Sequence, residues 1–228
     1  MTKYFMTGTR LEGYEKMMML PPKHKQSGSG IFAKHRYTAE DLDCKYCLVA
    51  KQMRKRACTS PSECEFFKER LNLGLWTHGQ LAECLAVSIA EVKLINRAHR
   101  LIPPKTATPF WDDSHFRRME RMTAALTEER SSYYAAVFLL SGDPDLWGRS
   151  EHAIHGATIE FEKVDVRGIR EGGYVLLQAA KDLTYGGDRV TVDDLCDPDV
   201  IDDGLFKLVF SAFVIKKYGV AGLWRYCN

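Results

Sequence analysis

EERSSYYAAVFLLSGDP, residues 128–144, reads as a helix beginning near Glu128 and broken by Gly142, Asp143 and Pro144. Tyr133, Tyr134, Val137, Phe138 and Leu140 make its middle nearly continuously apolar, so no face is left for water. Such a helix has to be enclosed by others, and it predicts a mainly α fold with this segment at the centre.

The neighbouring segments supply the enclosing layer. Upstream, Asp113 or Ser114 can cap a helix carrying Phe116, Met119, Met122 and Leu126. Downstream, Ile159, Phe161, Val164 and Val166 alternate in a way that permits a short strand or an extended crossing. Helical spacing returns in YVLLQAAKDL, residues 174–183, closed by Gly186 and Gly187. Asp193 can cap a short turn, and a last long helix is expected over about 204–218 with Gly219 as its C-cap residue.

Upstream of this set, PPKTATPFWD, residues 103–112, has three prolines and reads as a linker. The charge changes sign there. Residues 1–105 hold 18 Lys and Arg against 10 Asp and Glu, whereas residues 106–228 hold 14 against 20. The boundary divides the chain into an N-terminal domain, 1–102, and an α-helical C-terminal domain, 112–228, with at most a short strand pair. Opposite signs suggest surfaces with different partners.

In the N-terminal half, Ser62 with Glu65, Thr77 with Gln80 and Ser88 with Glu91 each have the spacing of a reciprocal helix cap. They predict three short helices, the first with Phe66, Phe67, Leu71 and Leu73 on its apolar side. The second and third, THGQLAECLAVSIAEVKLINRAHRL at 77–101, resemble a helix-turn-helix. Ala82 would admit the close approach, Ala86 stands where glycine is common, Val87 would plug the turn, and Val92 and Ile95 would pack the pair. As a DNA reader the hairpin would present Ile89, Ala90, Lys93, Asn96 and Arg97, with Lys93, Asn96 and Arg97 able to address base edges. A plain helical hairpin needs the same apolar offsets.

CKYCLVAKQMRKRACTSPSEC, residues 44–64, gathers Cys44, Cys47, Cys58 and Cys64 within 21 residues, separated by two, ten and five. Four thiolates enclose one tetrahedral zinc at about 2.3 Å and leave no open position, which makes the metal structural. Two local disulfides or four unrelated thiols are the alternatives, and His24 or His35 could replace one ligand. Between the pairs, Lys51, Arg54, Lys55 and Arg56 put four cations in six residues. Pinned by metal at both ends, they could meet phosphates or an acidic protein surface; a solvated face has the same composition. Ahead of this module, residues 1–40 read as an irregular arm tied down by Tyr4, Phe5, Leu11 and Tyr14.

The chain lacks H-E-x-x-H, G-x-S-x-G and a phosphate-binding glycine loop, so no enzyme class is indicated. Glu151, His152 and His155 could offer metal ligands or an acid and base, since histidines three apart can share a helical face. Asp193, Asp194, Asp197, Asp199, Asp202 and Asp203 could hold magnesium or imitate nucleic-acid phosphate, though Pro198 and Gly204 mark a turn whose aspartates cap helices. No apolar run approaches the roughly 20 residues of a membrane span. With no signal-peptide pattern at the start, the protein is expected in the cytoplasm, with Cys84, Cys196 and Cys227 as thiols.

YFMTGTRLEGYEKMMM (4–19), RYTAEDLDCKYC (36–47), FWDDSHFRRME (110–120), YYAAVFLLSGDPDLW (133–147), GGYVLLQAAKDL (172–183) and SAFVIKKYG (211–219) together resemble a zinc-motif family of proteins carried by bacterial phages and conjugative elements. The resemblance covers most of the chain and names no reaction. Zinc-containing anti-CRISPR inhibitors of type II RNA-guided nucleases occur among small proteins of such elements. It therefore implies a counter-defence inhibitor that binds a host nuclease and blocks its DNA binding or cleavage. A helix-turn-helix regulator of the element, using Lys93, Asn96 and Arg97 with support from Arg54, Lys55 and Arg56, is the alternative.

Overall fold

The computed structural model describes residues 6, 8–18, 67–68, 71, 74–124 and 130–219. The chain divides into two compact units, Met1–Arg70 and Leu71–Asn228. The four cysteines and the cationic loop between them lie outside the described residues. In the smaller unit, part of the expected irregular arm is a short helix, α1 (Glu12–Met18). Glu12 and Glu15 stand in its first turn, where carboxylates complement the exposed N–H groups. Glu12 accepts from the Gly8 amide at 2.9 Å, and Glu15 accepts from the Met6 amide at 2.6 Å.

The larger unit is helical around one apolar centre. Its described elements are α2 (His78–Ile89), α3 (Val92–Leu101), α4 (Asp113–Thr123), α5 (Ser131–Gly142), α6 (Pro144–Ser150), α7 (Glu171–Tyr185), α8 (Val192–Cys196) and α9 (Asp203–Tyr218). A two-stranded antiparallel hairpin, β1 (Ile154–His155) with β2 (Thr158–Ile159), pairs Ile154 with Ile159 across Gly156 at φ 57°. Among the described residues, no helix is long and apolar enough to cross a membrane. The expectation of a mainly helical chain with a short strand pair holds for this unit.

α5 is the central helix. Every residue from Tyr133 to Ser141 is buried, with Phe138, Leu139 and Leu140 at zero exposure. α7 and α9 make the most extensive contacts with it, while α4 and α6 pack on its remaining sides. Enclosing each large apolar side chain contributes about 1.5–3 kcal/mol, which outweighs the modest helix propensity of its aromatic and branched residues. Burial also pushes the Tyr133 phenol up to about 12, with the neighbouring Tyr134 adding to the shift.

Helix starts follow the local chemistry, often a residue or two from the expected place. Asp112, not Asp113 or Ser114, caps α4 by accepting from the His115 amide at 2.7 Å. Asp143 and Pro144 end α5 and at once begin α6, with Asp143 accepting from the Leu146 amide at 2.8 Å and Pro144 in the first turn. Thr191 and Asp194, not Asp193, form the capping box of α8. Asp202 accepts from the Gly204 and Leu205 amides to start α9, which closes at Gly219 as expected.

Candidate functional site

The proline-rich segment 103–112 belongs to the larger unit and is packed against α2, not strung between domains. Thr77 and Gln80 form the expected capping box, and the Thr77 hydroxyl also donates to the Pro104 carbonyl. One residue into the helix, the Gly79 amide donates to the Thr106 carbonyl at 2.9 Å. Only glycine permits this approach, because a Cβ at 79 would stand 1.9 Å from the Pro103 carbonyl oxygen. The segment thereby becomes one wall of a groove of about 390 Å³.

α9 forms the opposite side. Ser211 and Lys207 lie four residues apart, on one face of the helix, and both line the groove with His78 from α2. His78 Nε2 and Ser211 Oγ share a 2.8 Å hydrogen bond, and both side chains are buried. His78 Nδ1 is buried without a partner. Burial lowers the His78 pKa to about 3, so the ring is neutral at ordinary pH and one nitrogen keeps an unused hydrogen-bonding capacity. The rest of the lining is mostly apolar, including Ile102, Phe110, Leu208 and Trp111, and among the described residues it adds no further charge to that of Lys207.

A second buried histidine fixes the aromatic edge. His115 Nδ1 accepts from the Trp111 amide at 3.2 Å, while Nε2 faces the Phe138 carbonyl at 2.8 Å and donates to it. These partners specify one neutral tautomer. Burial is the main cause that lowers its pKa to about 4. The ring also meets Phe110 edge-on at 5.2 Å and Phe138 at 4.5 Å. Trp111 is 57% exposed and rests over Gly204, where a Cβ would sit 3.3 Å from the indole.

The expected recognition helix is built differently from its reading. α2 runs on to Ile89, and the turn is Ala90, in the left-handed region at φ 62°, followed by Glu91 as the cap of α3. Ser88 therefore caps nothing; its hydroxyl donates to the Leu85 carbonyl at 2.7 Å within α2. Val87 does not plug the turn and Val92 does not pack the pair, since they are 47% and 66% exposed, with Ile89 beside them at 37%. Leu94 and Ala98 are the buried contacts of α3.

Lys93 and Asn96 are exposed, as expected. Arg97 is not: it is 6% exposed and turned into the unit. Its guanidinium donates to the Leu195 carbonyl at 2.8 Å and to the Ile201 carbonyl, reaches Asp203 at 3.1 Å, and lies 4.6 Å over the Phe206 ring. An arginine held this way cannot address a base. Phe206 in turn stacks on Phe210 at 5.3 Å. Asp203 is shared with Arg100 at 3.2 Å.

The other acidic and histidine groups take structural positions. Asp194 and Asp202 cap helices, and Asp197 accepts from the Asp199 amide at 2.9 Å. His152 lies in a short 3-10 turn and meets the Lys163 carbonyl at 3.0 Å, while His155 stands on β1, so the two do not share a helical face. Glu151 pairs with Arg121 at 3.1 Å. Among the described residues, no three His, Cys, Asp or Glu side chains cluster to hold a metal. Cys84 and Cys196 are present as thiols.

Of the residues gathered at the groove, His78, Lys207 and Ser211 carry little sequence signal. His78 is hidden as the first residue after a cap. Ser211, between Phe210 and Ala212, is a lone hydroxyl on an apolar helix, and a buried hydroxyl there needed a partner. Searches with the whole chain found that no protein-family model, no curated protein and no solved structure matches it.

Proposed function

We propose that the chain is a non-catalytic, zinc-stabilised binding protein of a mobile element, a counter-defence inhibitor that occupies the surface of a host RNA-guided nuclease of type II. The carrying observation is the sequence spacing of Cys44, Cys47, Cys58 and Cys64 with four cations between the two pairs. Residues 1–70 have 14 Lys and Arg against 8 Asp and Glu, and residues 71–228 have 18 against 22. A basic loop pinned at both ends by such a metal would suit a nucleic-acid groove or an acidic protein face. Cys44, Cys47, Cys58 and Cys64 would hold the zinc; Lys51, Arg54, Lys55 and Arg56 would make the contact.

The larger unit supports binding in a second way. Val87, Ile89 and Val92 are exposed around one helix turn. Exposed apolar side chains grouped in this way mark contact surfaces more often than scattered ones do. The DNA-regulator reading loses Arg97 and keeps Lys93 and Asn96 on the helix, with Arg54, Lys55 and Arg56 as the supporting cations.

The experiment is to mix the purified chain with a guide-loaded type II nuclease and follow complex formation and DNA cleavage. A stable complex with lost cleavage is expected, weakened when Lys51, Arg54, Lys55 and Arg56 are changed together to glutamine. Normal cleavage with no complex would overturn the proposal. Salt-dependent, sequence-selective retention of duplex DNA by the chain alone would favour the regulator instead.

A further inference from the structure

We propose that the groove between α2, the 103–111 segment and α9 is a binding site for a small aromatic carboxylate, with Lys207 holding the carboxylate and Trp111 and Phe110 covering the ring. This site is in the larger unit and does not depend on the cysteine module or on any protein partner.

The groove has the size and composition of a small-molecule site. Its volume of about 390 Å³ falls in the usual range for such sites, roughly 300–1,000 Å³. Apolar side chains make most of the wall, with a few polar groups at defined places. One aromatic wall is held in position: the Trp111 amide is bound by His115, and its indole has its floor in the bare Gly204.

Charge selects the ligand class. Among the described residues, Lys207 is the one charged side chain lining the groove. The aspartate one turn before it, Asp203, is already engaged by Arg97 and Arg100. A carboxylate entering here meets a cation and, among the described residues lining the groove, no acid, whereas an amine would be repelled. In a partly enclosed site a charge-assisted hydrogen bond is about twice as strong as a neutral one.

A few polar groups besides Lys207 stand on the groove wall. His78, held by its hydrogen bond to Ser211, also lines the groove, with its Nδ1 enclosed by protein. Thr106 and Thr108 stand on the wall formed by the proline-rich segment.

The test uses the full chain and two probes of one shape, naphthalene-2-carboxylate and the neutral naphthalen-2-ylmethanol, titrated by isothermal calorimetry. The carboxylate is expected to bind at least about 10-fold more tightly than the alcohol, and the gap should shrink as salt is raised. Lys207→Gln should lower carboxylate affinity about 10-fold and leave the alcohol unchanged, while Lys207→Arg should stay within about 3-fold of the parent. Equal affinity of acid and alcohol, no binding of either at millimolar concentration, or an unchanged Lys207→Gln titration would each overturn the proposal. The comparison of the two probes needs no variant, so a folding defect in Lys207→Gln would leave it intact.

Discussion

Replacing Arg97 with alanine distinguishes an internal latch from a nucleic-acid contact. The side chain joins α3 to the chain around α8 and the start of α9 through the carbonyls of Leu195 and Ile201. Each hydrogen bond from a charged donor contributes about 1.5–3 kcal/mol, and its loss leaves a buried carbonyl without a donor. The guanidinium over Phe206 adds about 1 kcal/mol. The Asp203 ion pair adds little, because that carboxylate is 45% exposed and also paired with Arg100. Against these stands the desolvation of the guanidinium, so the net loss is about 3 kcal/mol. With a slope of about 2 kcal/mol per molar urea, the unfolding midpoint falls by about 1.5 M. A lysine side chain would place one ammonium where a planar fork reaches three acceptors, and Arg97→Lys should recover less than half of the loss. A midpoint shift under about 0.5 M in Arg97→Ala, together with lost retention on DNA, would refute the latch and restore the outward reading.

Other expectations follow from single contacts. Gly79→Ala, favourable by about 1 kcal/mol in an open helix, should instead destabilise by at least about 2 kcal/mol on thermal melting because its Cβ meets the Pro103 carbonyl. Phe138→Ala should cost about 3–5 kcal/mol by denaturant titration, as the side chain has zero exposure in the central helix. His78 and His115 are held neutral at pKa values of about 3 and about 4 against an ordinary 6.5. On acidification the unfolded chain takes up protons first, so their contribution is complete above pH 6.5 and is lost as pH falls toward 4 and 3. Each should contribute a slope of about 1.4 kcal/mol per pH unit within that window, and unfolding titrations of His115→Gln should show a shallower slope.

The central helix was legible because 133–140 is apolar on all sides, and only enclosure satisfies such a segment. Helix ends were legible to within a few residues wherever Asp or Thr stood before an apolar repeat. The hairpin turn was misplaced by about three residues because Ala90 adopts the left-handed conformation usually left to glycine. Its amide meets the Ala86 and Val87 carbonyls, and Glu91 restarts the chain as a cap. The inward course of Arg97 could not be read locally, since its carbonyl partners lie 98 and 104 residues downstream. Likewise, three prolines suggested a linker at 103–112, but the space beside Gly79 depends on a close approach that composition does not reveal. The groove combines a helix start, an irregular segment and a distant helix, so its lining emerged only from the fold.

The central claim is that the clustered sulfurs form a closed scaffold for a contact loop. Metal analysis of the pure protein combined with X-ray absorption at the zinc edge tests it most directly. The account predicts one zinc per chain surrounded by four sulfurs at about 2.3 Å, lost with the fold of the N-terminal unit in Cys44→Ser. A protein without bound metal, or a zinc with an oxygen ligand in an open position, would contradict it.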